Sequence, residues 1–339
     1  MLNHRLVRKN WRVPLLFSAL ACSLAPQLTS SPLSSTTDLT SQSPFSSESS
    51  AACTSLLTGI LNVSMSNGRG VHSSTGFGIG HEVRYLVLYD ANQDELGKRE
   101  ELLLPDEVDE KLDSRAAHEA IWLTFTSLIP EENRSLVTEF AILSDGRNNI
   151  LAGVSPTYGN PREWTLKVDP VDAADLDSLH YSILHEYGHL LTLNASQVPP
   201  DEQVFYHPDD SAIYQEAVNG CPHYFTGEGC SNPGSYMNEF FNRFWNSSYT
   251  EWQMIQGQGT RQDLMFDFYS ARADQFLTSY AATSPEEDIA ESWAFFILSP
   301  KPEPISIAHQ KILFFYEYPE LVALRQEIRN RLCTSRLGK

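Results

Sequence analysis

The chain has 339 residues, of which 24 are basic and 43 acidic, so its formal net charge at pH 7 is −19. A balance this acidic disfavours nucleic acid and anionic membrane surfaces as partners. The length suffices for one large domain or for two lobes around a cleft, and the sequence shows no internal repeats.

Residues 1–21 have the pattern of a secretory signal peptide. A basic segment with Arg5, Arg8 and Lys9 precedes an apolar stretch of about nine residues, which is too short to span a membrane. Cys22 follows directly. The chain is therefore either a lipoprotein anchored through lipid on Cys22 or a protein cut after residue 21 by an ordinary signal peptidase. Both alternatives predict an extracytoplasmic protein, secreted or attached to the cell envelope, with no transmembrane span.

Residues 22–55 are rich in Ser and Thr, with scattered Pro and few charges. Such a segment cannot bury enough apolar surface to order itself, so we predict a flexible linker. Residues 56–339 are then the one folded domain.

Cysteine usage fits an oxidising compartment. Five cysteines are present, and setting Cys22 aside leaves an even number, as in a disulfide framework. Cys221 and Cys230 enclose a short loop that suits a disulfide, and Cys53 and Cys333 would then join the two ends of the domain. Four cysteines permit three pairings, and the sequence does not choose between them.

The body of the domain combines strands and helices, which predicts the α+β class. β-branched and aromatic runs indicate the strands, and apolar periodicity indicates the helices. The predicted elements are strands at 84–89, 136–143, 149–154 and 163–168, and helices at 115–128, 235–252 and 311–332.

Residues 185–189 read H-E-Y-G-H, an H-E-x-x-H motif within an apolar run of helical spacing. On a helix, His185 and His189 lie one turn apart on the same face, so both can bind one zinc ion. Glu186 then lies where it can take a proton from a water on that ion. The motif predicts one zinc ion per chain and a hydrolytic reaction.

A second helix is predicted from Pro285 onwards. Pro285 suits a first helical turn, and Ser284 or Thr283 suits its cap. Glu287 and Glu291 lie four residues apart and share one face of this helix. Catalytic zinc needs a third protein ligand, which either carboxylate can supply.

A helix with H-E-x-x-H followed by a helix with E-x-x-x-E resembles the gluzincin metallopeptidases. The run from Tyr280 through Glu287 to Glu291 is most similar to the anthrax lethal factor-like catalytic domains. This resemblance implies that Glu287 is the third zinc ligand and that Glu291 supports a ligand histidine. It also implies that Tyr280 donates a hydrogen bond to the reacting carbonyl, although an ordinary packed tyrosine is an open alternative.

The same resemblance implies a zincin-like, two-lobed domain. Such a domain has a small mixed sheet ahead of the zinc helix and a mostly helical C-terminal lobe. An edge strand of the sheet lines the cleft and pairs with the substrate backbone. Residues 149–154 and 163–168 are the two candidates for this edge strand.

Other side chains stay open as the third ligand. Asp263 follows Gly and Thr in a faint likeness to the aspartate-zincin pattern, although the spacing does not match. His207 and His223 lie among Pro, Asp and Gly, which suits loops. Glu291 is a further alternative, since it shares the helix face of the resemblance-based ligand. Glu286 is expected to be a solvated acid of the first helical turn.

The expected function is an extracytoplasmic zinc metalloendopeptidase that acts on a peptide or protein, with Glu186 as general base. The alternative is an inactive or non-peptidase zinc protein that binds a peptide or a cell-envelope ligand in the same cleft. The intact Glu186 argues against an inactive site, because zinc binding alone does not need it.

Overall fold

A computed structural model describes residues 47–66, 83–103, 112–144, 151–257 and 262–338. The predicted signal peptide, Cys22 and residues 22–46 of the predicted linker lie outside the described residues and stay predictions. Within these ranges no helix is long and apolar enough to cross a membrane.

The described part of the chain contains one mixed sheet of five strands. Their bounds are β1 Arg84–Asn92, β2 Glu95–Glu101, β3 Val137–Ser144, β4 Ala152–Thr157 and β5 Asn160–Val168. The strand order is β2-β1-β3-β5-β4, in which β3 and β5 run parallel and the other neighbours run antiparallel. Strands are confirmed at all four predicted positions, with ends shifted by up to three residues, and residues 149–150 of the third lie outside the described residues.

One edge of this sheet is formed by one of the two predicted candidates, and the other edge by a strand that was not predicted. β4 is an edge strand, but β5 pairs with β3 and β4, so the edge position considered for residues 163–168 is wrong. Leu166 and Val168 on β5 are fully buried, as befits an inner strand. β2 lies at the other edge and was not predicted, because its sequence is mostly charged around the buried Leu96. Charged side chains on an edge strand discourage pairing with other chains.

After β5 the described elements are helices and short 3-10 turns, apart from two isolated β-bridges. Three further helices come earlier, one before β1 and two between β2 and β3. The helices are α1 Ser47–Ser66, α2 Arg115–Leu128, α3 Glu131–Arg134, α4 Leu176–Leu193, α5 Glu202–Tyr206, α6 Ser211–Gly220, α7 Tyr236–Phe244, α8 Tyr249–Gln256, α9 Gln262–Ser270, α10 Pro285–Leu298, α11 Ile307–Phe314 and α12 Pro319–Leu337. The α+β class with a mixed sheet is confirmed. The zincin family of fold and its two lobes stay predictions.

Two predicted helices are each divided in the structure. The run 235–252 breaks after α7, where the N–H groups of Trp245 and Asn246 both donate to the carbonyl of Phe241 and close the helix. The run 311–332 covers parts of α11 and α12. Pro319 occupies the first turn of α12, because it cannot continue a preceding helix.

Helix α1 begins inside the segment predicted to be a flexible linker, so the linker boundary at residue 55 is too late. Leu57 and Ile60 are fully buried, and α1 packs against α4, α10 and α12. A disulfide also joins Cys53 to Cys333 in α12. These interactions are long-range in sequence, so the local Ser-rich composition did not reveal them.

Helix α12 forms hydrogen bonds with both α10 and α4. Arg325 and Arg329 donate to carbonyl oxygens at the end of α10, at 2.7 and 2.6 Å. Such carbonyls have no partner within their own helix. Arg336, near the other end of α12, donates to Asp177 in the first turn of α4 at 2.7 Å. One helix therefore restrains both α4 and α10.

The structure pairs Cys221 with Cys230 and Cys53 with Cys333. Of the three pairings open to the sequence, this one closes the short loop and joins the two ends of the domain. Disulfides persist in oxidising compartments, so this pairing is consistent with an extracytoplasmic protein.

Removing the Cys53–Cys333 disulfide is expected to destabilise the protein more than removing the Cys221–Cys230 disulfide. The partners are separated by 280 and by 9 residues, and the entropy that a crosslink removes from the unfolded chain grows with loop length. We expect a loss of about 4–5 kcal/mol for Cys53→Ala with Cys333→Ala, and of about 2–3 kcal/mol for the other pair. Urea unfolding measures both, and a larger loss for the short loop would contradict the prediction.

Candidate metal centre

Helix α4 carries the H-E-x-x-H motif through the interior of the domain. The Asp175 side chain accepts a hydrogen bond from Asp177 N and caps the helix, and Asn194 follows its last residue. The motif residues are buried, with His185 and Glu186 at 0% exposure and His189 at 4%. The prediction of a packed helix at the motif is confirmed.

Helix α10 carries the two glutamates. The Ser284 side chain accepts from Glu287 N at 3.2 Å, and Pro285 occupies the first turn, so the predicted cap and start are confirmed. Glu287 and Glu291 are both buried. The second motif therefore also lies inside the domain.

The two helices are in close contact at Gly188. A Cβ atom on this residue would lie 2.9 Å from the Cα atom of Ala290 and 3.2 Å from Cδ1 of Trp293. Gly188 lies within one motif, and Ala290 lies between the two glutamates of the other. A side chain at position 188 would thus push apart the helices that carry the two motifs.

His185, His189 and Glu287 form one buried group. His185 Nε2 lies 3.2 Å from His189 Nε2 and 3.0 Å from Glu287 Oε2, and His189 Nε2 lies 3.4 Å from the same Oε2. Ligand atoms about 2.0–2.1 Å from a tetrahedral metal ion lie about 3.3–3.4 Å apart. Among the described residues, these three side chains form the one such His, Cys, Asp or Glu group. They could hold a metal ion.

The electrostatics of the group favour a positive charge. Burial acts to lower the pKa of His185, but Glu287 and Glu291 raise it to about 10. Burial acts to raise the pKa of Glu287, but His189 and His185 hold it well below its usual range. Carboxylates that retain protons on neighbouring imidazoles would also stabilise a metal cation, and metal binding would release those protons.

Glu291 contacts the other ring nitrogen of His185. Its Oε1 lies 2.9 Å from His185 Nδ1. An ionised carboxylate only accepts hydrogen bonds, so Nδ1–H donates to Glu291 and Nε2–H donates to Glu287. A metal ion that displaced the Nε2 proton would be bound by that nitrogen, while Nδ1–H stayed on Glu291. Tyr181 donates to the same Oε1 at 2.8 Å, and Thr278 donates to Oε2 at 2.7 Å. In this arrangement Glu291 orients the imidazole and lies outside the group.

Glu186 is fully buried, and neither carboxylate oxygen has a hydrogen-bond partner in the part of the chain that the structure describes. Burial raises the pKa of Glu186, against the lowering effect of His189 and His185. A buried acceptor without a partner costs about 1–3 kcal/mol, and more when it is charged. Such a penalty beside a metal-binding group is typical of a functional site.

Tyr280 lies beside the group, on the segment that precedes α10. Its ring centroid is 5.8 Å from that of His185, and the residue is half-buried. Thr283 donates from its amide and its hydroxyl to the carbonyl of Tyr280, at 2.9 and 2.7 Å. The structure therefore brings the predicted tyrosine to the site on a hydrogen-bonded turn.

The competing ligands lie elsewhere or outside the described side chains. His207 and His223 are exposed, and neither belongs to a metal-binding group among the described residues. Asp263 is in α9, but its side chain lies outside the described part. Glu286 is not the solvated acid expected from the sequence: Tyr224 donates to its Oε1 at 2.7 Å, and burial raises its pKa.

Three residues of the site were missed from the sequence. Tyr181 precedes His185 by one helical turn, so helical spacing could have indicated its position. Gly188 lies within a predicted helix, where glycine costs about 1 kcal/mol relative to alanine, so a packing reason for it could have been sought. Thr278 lies in an irregular segment, and no periodicity relates it to Glu291.

Comparison of the chain with protein-family models, with curated proteins and with solved structures gives no match. What the site can do therefore follows from its own residues.

Substituting Gly188 is expected to weaken metal binding without any change to a ligand. In Gly188→Ala the new methyl group meets the backbone of Ala290, so the helices separate, and we expect a loss of about 1–3 kcal/mol in stability. The matched control is Gly59→Ala in α1, where nothing lies within 4 Å and about 1 kcal/mol should be gained. Metal titration and urea unfolding of both variants measure this. Undiminished metal affinity in Gly188→Ala would contradict the role of the close contact.

Proposed function

We propose that the protein is a zinc-dependent metallopeptidase of the gluzincin type that acts outside the cytoplasm. The observation that carries this proposal is the fully buried carboxylate of Glu186, which has no hydrogen-bond partner among the described residues and lies beside the group of His185, His189 and Glu287. A metal-binding group alone occurs in proteins of many functions. A proton acceptor held next to it is typical of a site that hydrolyses its substrate with a metal-activated water.

The ligand set supports zinc as the metal. Two imidazoles and one carboxylate are typical of catalytic zinc sites, which keep a fourth position open for water or substrate. Structural zinc sites fill all four positions with protein ligands. Glu291 bonded to His185 Nδ1 supplies the carboxylate–histidine pairing that commonly accompanies zinc.

The residues around the site suit a water-mediated cleavage of a carbonyl compound. Bound zinc would supply a lowered pKa for a water molecule and a Lewis acid for the substrate carbonyl. Glu186 would accept the proton of the attacking water and return it to the leaving amine. Tyr280 would donate its hydroxyl hydrogen to the carbonyl oxygen as negative charge develops there.

The position of β4 supports a peptide as substrate. This strand ends the described sheet and packs against α4, which carries Glu186. An extended peptide can add to a sheet edge through main-chain hydrogen bonds, which recognise any sequence. We propose an endopeptidase on this basis, and we include an extracytoplasmic location because of the two disulfides.

The purified protein is expected to bind one zinc ion per chain. His185→Ala, His189→Ala and Glu287→Ala should each abolish stoichiometric binding, because each removes one ligand atom. Glu291→Ala should weaken zinc binding about 10–100-fold, since it removes only the partner that orients a ligand. Glu286→Gln is the matched control on the same helix and should retain zinc. Metal analysis after dialysis measures the content, and a more severe effect of Glu291→Ala than of Glu287→Ala would reverse the assignment.

Glu186→Gln is expected to retain zinc and to lose peptidase activity. The amide keeps the size of the side chain but cannot accept the proton of water, so kcat should fall about 10²–10⁴-fold. Cleavage of a denatured protein or a peptide library, with and without a chelator, measures activity beside zinc content. The exposed Glu202→Gln is the control. If wild type binds zinc but cleaves none of these substrates, the non-peptidase alternative is favoured. Chelator-sensitive cleavage at the wild-type rate by Glu186→Gln would refute the general-base role.

A further inference from the structure

Thr278 links the segment that carries Tyr280 to the carboxylate behind His185. Its hydroxyl donates to Glu291 Oε2 at 2.7 Å and accepts from Ala281 N at 3.0 Å. A threonine hydroxyl has one hydrogen and two acceptor lone pairs, so it makes both bonds at once. In the sequence, Tyr280 lies between Thr278 and Ala281, the two residues that this hydrogen bond joins.

Glu291 divides its two oxygens between different parts of the structure. Oε1 accepts from His185 Nδ1 and from Tyr181 OH, both on α4. Oε2 accepts from Thr278, on the segment before α10. The Glu291 carboxylate on α10 therefore connects α4 to the turn that carries Tyr280. Thr278 provides the contact to that turn.

We propose that Thr278 is a positioning residue, which holds the Tyr280 turn and the His185 imidazole in a fixed relation through Glu291. This inference rests on the proposed function, because it assigns Tyr280 a place beside the substrate carbonyl. Transition-state hydrogen bonds depend on donors that are held in place before the reaction. Loss of the Thr278 hydroxyl should then disturb both the orientation of the His185 imidazole and the position of Tyr280.

The chemistry of threonine permits a sharp test of this role. Thr278→Val keeps the shape of the side chain but removes both hydrogen bonds, while Thr278→Ser keeps the hydroxyl. Tyr181→Phe is the matched comparison, because it removes the other hydroxyl donor to Glu291 without touching the turn of Tyr280. Three measurements on the full protein are compared: zinc affinity, kcat at saturating zinc, and hydrogen exchange of the Ala281 amide.

Thr278→Val is expected to lower zinc affinity and kcat by about tenfold each and to speed exchange of the Ala281 amide by about tenfold. Thr278→Ser should restore all three to within about threefold. Tyr181→Phe should lower zinc affinity, with a smaller loss of kcat than Thr278→Val and with Ala281 exchange at the wild-type rate. Ala281 exchange reports only the loss of the hydrogen bond to Thr278. The discriminating result is the larger loss of kcat at saturating zinc in Thr278→Val than in Tyr181→Phe, which a purely structural role would not produce.

A double variant tests whether Thr278 acts through Tyr280. If it does, Thr278→Val combined with Tyr280→Phe should have the same kcat at saturating zinc as Tyr280→Phe alone. A fully multiplicative loss would overturn the proposal, and so would wild-type zinc affinity and Ala281 exchange in Thr278→Val.

If wild type binds zinc but cleaves no peptide, the proposed function fails separately. Zinc affinity and Ala281 exchange then still decide the positioning role. Lower zinc affinity and faster Ala281 exchange in Thr278→Val, both restored in Thr278→Ser, support the positioning role. Wild-type values of both quantities in Thr278→Val overturn it.

Discussion

The close contact between α4 and α10 at Gly188 and Ala290 is the constraint on which the candidate site depends. A Cβ atom at position 188 would lie 2.9 Å from the backbone of α10, so the helix axes can approach this closely only with glycine there. The contact sets two histidines on one helix opposite two glutamates on the other. Because α12 bonds to the end of α10 and to the start of α4, the geometry of the group follows from packing outside the site as well.

Such packing buries charges that would be unstable without partners. An isolated buried carboxylate is destabilising, and a buried pair is tolerated only when hydrogen bonds complete it. Glu291 meets this condition, since His185, Tyr181 and Thr278 all donate to it. Glu287 is balanced by imidazoles, and a bound cation would balance it further. Metal binding and the stability of this part of the core are therefore expected to be linked.

Local signals predicted the parts of the site that are short-range in sequence. Spacing of four residues placed the two histidines, and Ser284 with Pro285 placed the start of α10, because caps and first turns are local features. The pairing of α4 with α10 came from a resemblance to a family and could not be derived from either segment. Thr278, the helical state of residues 47–55 and the inner position of β5 depend on contacts distant in sequence, which a single sequence does not display.

A protein that only bound zinc would gain no stability from a carboxylate at position 186. His185, His189 and Glu287 already provide three ligand atoms, and Glu186 accepts no hydrogen bond from any described residue. Burial raises its pKa, against the lowering effect of His189 and His185. A smaller or apolar residue there would be less costly. Tyr280 does not distinguish a catalytic site from a site that only binds metal, because its ring would pack against His185 in both. That distinction therefore depends on Glu186.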